Sequence, residues 1–231
     1  MSTAEQRLAE DEARITGARK AKLTLGQAAR GFWRHPSPIV IAVAFVIALT
    51  SRLLVGDWQL WDALTPLIMI VAFPFFEWVV HVYVLHAKPV KIFGRTLDTE
   101  YAREHRKHHV LPRDIPLSFI PFKSLLVTVA VLAAIGLLAF PRTALGLTFL
   151  VTITVFGLLY EWTHYLVHTD YKPKSRVYKA IWRDHRLHHY KDEHYWFTVT
   201  SSGTADRVLG TYPDPQSIPS SPTAKRLHGL A

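Results

Sequence analysis

The chain of 231 residues contains no cysteine. That excludes disulfides, iron–sulfur clusters, haem bound through a thiolate and zinc sites of the cysteine type. Histidine, aspartate and glutamate are left as the strong metal ligands. No H-E-x-x-H occurs, so the motif of zinc hydrolases is missing. Acidic residues are outnumbered, 18 Asp and Glu against 27 Lys and Arg, and the formal net charge is +9. No basic helix with interleaved aromatics reads as a nucleic-acid groove, so no nucleic-acid partner is expected. The first 30 residues lack the apolar core of a secretory signal. Residues 1–35 therefore read as a cytosolic lead-in, with Glu5, Glu10, Asp11 and Glu12 among seven basic residues.

What is abundant is apolar sequence. The hydrophobic fraction is 49% and the mean hydropathy is positive, which places the chain in the membrane class. Four apolar runs stand out, at 38–54, 63–80, 125–140 and 144–160. A bilayer core needs about 20 helical residues. The third and fourth runs sit at the short limit and need flanking aromatics, Lys123 or Arg142 to extend them. The expected fold is all-α: an integral membrane protein with four transmembrane helices in two hairpins and a cytosolic, helical, histidine-rich metal cap.

Loop charge sets the expected orientation. Residues 1–35 carry seven Lys and Arg, 86–123 carry eight, and the part after Tyr160 carries ten. The two remaining connections carry one each, Arg52 and Arg142. By the positive-inside rule the three rich segments are cytosolic, with both termini inside. The expected division is a lead-in at 1–35, a membrane domain at 36–211 and a disordered tail at 212–231.

Ten of the 13 histidines fall into four clusters, each just past an apolar run. They are His81 and His86; His105, His108 and His109; His164 and His168; and His185, His188 and His189. A random chain of this composition would hold an H-x-x-H-H roughly 0.04 times, and this one holds two. The layout repeats: hairpin, histidine pair at the membrane exit, loop, histidine triplet. On an α-helix, positions i, i+3 and i+4 share a face, so each triplet offers three imidazoles on one stripe. Residues 98–109 read as a helix capped by Asp98, and 175–190 as an amphipathic helix starting at Ser175. His81 and His86, five apart, share no face on a regular helix, so the backbone is expected to loosen between them. A first-row ion takes four to six ligands, so ten histidines divide naturally between two ions. Glu77, Glu104, Glu161 and Asp184 lie close enough in sequence to orient the rings, with ordinary salt bridges as the alternative. His194 reads as surface, and His35 and His228 lie outside the pattern.

These residues, with the stretches GRTLDTEYAREHRKHH, EWTHYLVH and DHRLHHYKDEHYWFTVTS, resemble the fatty acid hydroxylase and sterol desaturase superfamily of membrane-bound, histidine-rich di-iron enzymes. The spacing is most similar to the fatty acid 2-hydroxylase branch. Carotenoid hydroxylases typically carry H-x-x-x-x-H in the third position, where this chain has His164 and His168. Sterol desaturases typically begin with H-x-x-x-H, where this chain has His81 and His86. The resemblance implies a lipid monooxygenase that hydroxylates a C–H bond, on a fatty acyl chain and possibly at C2, using O2. It implies two iron ions held by the ten histidines, with zinc able to occupy the sites in isolated protein. Electrons would come from a separate electron-transfer protein, because no haem domain is fused within these 231 residues. Carotenoid hydroxylation or sterol desaturation with the same site is the alternative activity. A membrane metal transporter or metal-binding protein is the alternative class, weakened because transporters place ligands near the bilayer midplane.

Overall fold

A computed structural model describes residues 23–227. Most of the expected lead-in, and His228, lie outside the described residues. The described part of the lead-in is a short helix, α1 (Leu25–Phe32), with a reciprocal cap: Thr24 Oγ1 accepts from Gln27 N while Gln27 Oε1 accepts from Thr24 N at 2.8 Å. Its buried face, Ala28 and Phe32, packs on Phe119 and Tyr165.

Four helical stretches are long and apolar enough to cross a membrane. They are α2 (Pro36–Val55), α3 (Leu60–Val80) with its continuation to Leu85, α5 (Phe122–Leu138) with the 3-10 turn Ile115–Ser118 before it, and α6 (Thr143–His168). The spans hold 20, 26, 24 and 26 residues. At about 1.5 Å per residue the shortest covers about 30 Å. The apolar runs underestimated α6, because its last two turns carry the ligand-type side chains His164 and His168 in a continuous helix. Val43, Val46, Ile47, Ile68, Ile70 and Val71 are exposed, the surface expected of helices facing lipid. Helices α5 and α6 meet backbone to backbone: a Cβ placed on Gly146 would lie 1.7 Å from the Gly136 carbonyl oxygen.

The two hairpin turns lie at the same end of the bundle. Arg142, between α5 and α6, donates to Asp57, between α2 and α3, at 2.7 Å and to Asp62 at 3.1 Å. Asp62 also accepts from Thr148 at 2.8 Å and pairs with buried Arg52 at 3.1 Å. Arg52 is capped by the Trp58 ring at 3.6 Å. All ten clustered histidines stand at the opposite end.

There the cap is built. Helix α3 runs into a π-helical turn, His81–Leu85, closed by His86 N donating to His81 O at 3.0 Å. A small hairpin follows, β1 (Val90–Ile92) paired antiparallel with β2 (Arg95–Leu97) around Phe93-Gly94, both at positive φ. The all-α reading did not include it. Helix α4 (Glu100–Val110) is capped by Thr99, which accepts from Ala102 N, and not by Asp98. Asp98 is drawn instead to Arg106, at 2.6 Å. Helix α7 (Arg176–Tyr190) starts at the expected Ser175 cap. A short α8 (Thr204–Val208) and α9 (Pro222–Leu227) complete the order.

Through residue 227 the segment read as a disordered tail is built into the cap. Tyr212 Oη donates to Asp184 at 3.0 Å. Ser221 and Thr223 donate to Glu193, and Ala224 is fully buried. Its proline and serine content suggested disorder, but four side-chain anchors hold it.

Candidate metal centre

The histidines reach the site from four places: the π turn after α3, helix α4, the end of α6, and helix α7. A π turn advances by i to i+5, which brings His81 and His86 onto one side; the expected loosening takes this form. His164 and His168 are one turn apart on α6, as the spacing predicts.

The structure gathers the ten imidazoles into two groups of five, each able to hold a metal ion. One consists of His81, His86, His105, His109 and His188; the other of His108, His164, His168, His185 and His189. Within each, the facing nitrogens lie within 4.8 Å of one another. The sequence repeats do not map one to one onto the groups. Each repeat keeps its pair and the outer two histidines of its triplet, and lends the middle one to the other group.

In the first group Nε2 of His105 lies 3.1 Å from Nε2 of His81, of His86 and of His109, and His188 lies 3.2 Å from His109. In the second, Nε2 of His168 lies 3.0 Å from His108, 3.3 Å from His164 and 2.8 Å from His185. A neutral imidazole has one N–H and one lone pair in the ring plane. No single nitrogen can use those to satisfy three neighbours. An ion about 2.1 Å from each nitrogen does account for the packing, since adjacent ligands then stand about 3 Å apart. The donor set therefore fits a metal in both groups.

Tautomer and charge agree with that fit. Nδ1 of His81 donates to Phe197 O at 2.5 Å, His164 to Ser118 O at 2.7 Å and His188 to Tyr195 O at 2.7 Å. With the proton on Nδ1, Nε2 presents a lone pair to the group. Burial, and then the neighbouring imidazoles, hold His105, His109, His185 and His189 well below the usual histidine range. Burial likewise brings His86 and His188 down to about 3. These rings are neutral at ordinary pH, the form that ligates metal. His86 and His168 are the two partly exposed members.

None of the four carboxylates singled out from the sequence accepts from a clustered histidine among the described residues. Glu104 pairs with Lys107 and Asp184 with Arg183, the salt bridges named as the alternative. Glu77 and Glu161 do neither; they accept backbone N–H groups, from Val199 and Thr200 and from Ile120. The sequence reading missed the carbonyls of Ser118, Tyr195 and Phe197, which have no side-chain signature, and Asp206, which holds the segment carrying two of them. His194 is exposed beside Asp192, and His35 stacks on Phe119 at 4.0 Å between ring centres.

Fold and site together define a helical membrane protein with a buried, histidine-lined centre able to bind metal. The family model for fatty acid hydroxylase matches residues 66–211, and the chain belongs to that family. It is 31% identical over 149 residues to the dihydroceramide fatty acyl 2-hydroxylase FAH2 of Arabidopsis thaliana, covering 63% of this chain and 61% of that protein. It is 30% identical over 146 residues to FAH1 of the same plant, covering 60% and 56%. The aligned part thus spans less than two thirds of either relative. No solved structure matches the chain.

Proposed function

We propose that this protein hydroxylates a fatty acyl chain, at C2, with two iron ions bound by the two five-histidine groups. The carrying observation is the convergence of ten imidazoles, from four separated stretches, into two sets able to hold a metal ion at one end of a bundle of helices long and apolar enough to cross a membrane. The relatives, named as dihydroceramide fatty acyl 2-hydroxylases, support the acyl substrate and the position. In this reading His81, His86, His105, His109 and His188 hold one iron, and His108, His164, His168, His185 and His189 the other. The bound pair supplies oxygen activation and C–H oxidation. The overall change takes one oxygen atom of O2 into the C–H bond and the other into water, consuming two electrons from a separate donor protein and two protons from water.

The chain's own residues do the rest. Burial keeps the rings neutral, and the carbonyls of Ser118, Tyr195 and Phe197 orient three of them. The Phe197 ring covers the first group, 5.4–5.6 Å from His81, His86 and His188, and Tyr160 covers His164. Both exclude water from the centre on an apolar side where an acyl chain can approach. The charge of the connecting segments supports a cytosolic position for this end and for both termini. Residues 36–211 are the hydroxylase unit, with 212–227 docked on its cap.

Lipid mass spectrometry of a host without such activity, with and without the chain, tests the reading. Accumulation of 2-hydroxy acyl lipid is expected. Unaltered lipids in cells that hold the iron-loaded protein in their membranes would sink it.

A further inference from the structure

Between α7 and α8 the segment 195–200 supplies the Nδ1 acceptors of two ring ligands, Tyr195 O for His188 and Phe197 O for His81. Both rings belong to the first group. Every amide of 196–200 is itself tied down. Trp196 N donates to Thr211 O at 2.9 Å. Phe197 N and Thr198 N donate to the two oxygens of Asp206 at 2.8 and 3.0 Å, and Thr198 Oγ1 adds a third bond at 2.5 Å. Val199 N and Thr200 N donate to Glu77 at 2.8 and 3.0 Å, and Thr200 Oγ1 donates at 2.7 Å. Asp206 is fully buried and Glu77 nearly so, and neither has an ion-pair partner among the described residues. Burying two carboxylates without a cation is unfavourable unless their oxygens are well supplied with donors, and here the donors come mostly from this one segment. Trp196, between the two acceptor carbonyls, is held at φ +54, a conformation a tryptophan adopts only when its surroundings impose it.

The second group lacks such a segment. Its carbonyl partners are Ser118 O, for His164, and Pro112 O, for His168, neither of them in the 195–200 segment, while Nδ1 of His108, His185 and His189 finds no acceptor among the described residues.

We propose that Asp206 and Glu77 are positioning residues for the first group's ion: they fix the backbone of 195–200, and through two carbonyls they set the tautomer and direction of His81 and His188. The inference rests on the two-ion reading above. Its effect is one-sided, because only one group leans on this segment.

Metal content and chelator competition on the detergent-purified, full-length protein test it, with Co(II) as the probe ion. Wild type is expected to bind two ions. In Asp206→Asn the amide cannot accept from both Phe197 N and Thr198 N, and in Glu77→Gln an amide nitrogen replaces one carboxylate oxygen, so either the acceptor shared by Val199 N and Thr200 N or the acceptor of Thr200 Oγ1 is lost. Each variant should release one ion about 10–100-fold more readily and keep the other unchanged. His185→Ala marks the second group: combined with Asp206→Asn it should weaken both ions. Unchanged affinity for both ions in a folded Asp206→Asn protein, or equal weakening of both, overturns the proposal. If Asp206→Asn does not fold, Thr198→Val and Thr200→Val each remove one bond to the carboxylates with little change of shape. They must still show the one-sided loss, at the lower end of the range, and its absence is equally fatal. A wild-type protein that takes up no pair of ions refutes the two-ion reading itself, before any variant is compared.

Discussion

His108 and His188 occupy the middle of their H-x-x-H-H triplets, and that position decides which group each one serves. On a helix, i and i+4 lie about 40° apart, while i+3 points about 60° to the other side of i. His105 and His109 therefore stay together, as do His185 and His189, and the middle histidine reaches across. The stacked rings of His109 and His189, 4.3 Å between centres, mark the boundary where the two groups touch. Neither repeat thus completes a ligand set alone. His188→Ala should cost the same ion as His81→Ala, although the two residues lie in different repeats, and His108→Ala should match His164→Ala. Loss of a partner that merely orients a ligand costs about 10–100-fold, so loss of a ligand should lower hydroxylation at least about 100-fold. Product analysis on membranes, alongside the amount of protein retained there, checks this. Substantial turnover in membrane-inserted His108→Ala or His188→Ala would exclude those rings as ligands. Within a group, double variants should be no worse than single ones, because the first already removes the ion.

At the level of elements, periodicity made the main helices legible and local anchors made the remainder illegible. The apolar runs located all four spans, and the i, i+4 spacing located the ligand faces of α4, α6 and α7. Five-residue spacing at His81 and His86 could only say that a regular helix fails there; the π turn is how the backbone resolves it. Asp98 and Thr99 are both good caps, and Arg106, eight residues after Asp98, decided between them by taking the aspartate. The ring-orienting carbonyls belong to the backbone of Ser118, Tyr195 and Phe197, and side-chain patterns carry no trace of them. The C-terminal segment was misread for a related reason: its order comes from Tyr212, Ser221, Thr223 and Ala224 and not from any period. Its removal therefore has a cost. Truncation after Thr211 deletes the Tyr212 bonds to Asp184, the Arg207–Tyr212 stacking at 4.0 Å and two bonds to Glu193. At about 1 kcal/mol per hydrogen bond the cap should lose about 2–4 kcal/mol. Thermal unfolding of the detergent-solubilised protein should show a lower Tm, and an unshifted Tm would mean that the segment docks without supporting α7.

Across the whole molecule, polar chemistry is concentrated at the two ends of an apolar bundle, and the ends differ in kind. The histidine end builds a ligand-rich interior. The other end locks the hairpins together through Arg52, Asp62, Arg142 and Thr148. Asp62→Ala would leave Arg52 buried, 2% exposed in its side chain, without its partner. Breaking such a pair costs about 3–5 kcal/mol. Reduced thermal stability is expected although the substitution is a full bundle length from the metal centre; wild-type stability would show that the pair is dispensable. Which end faces the cytosol is a separate matter, open to direct measurement because the chain has no cysteine of its own. A cysteine placed at exposed Leu60 reports the clamp end, and one at fully exposed Phe93 reports the histidine end. With a membrane-impermeant maleimide, intact cells should label Leu60→Cys at once. On the proposed orientation, which rests on the eight basic residues between 86 and 123, Phe93→Cys should label only after permeabilisation. The opposite order of labelling would place the metal centre outside, and a cytosolic electron donor could then no longer reach it.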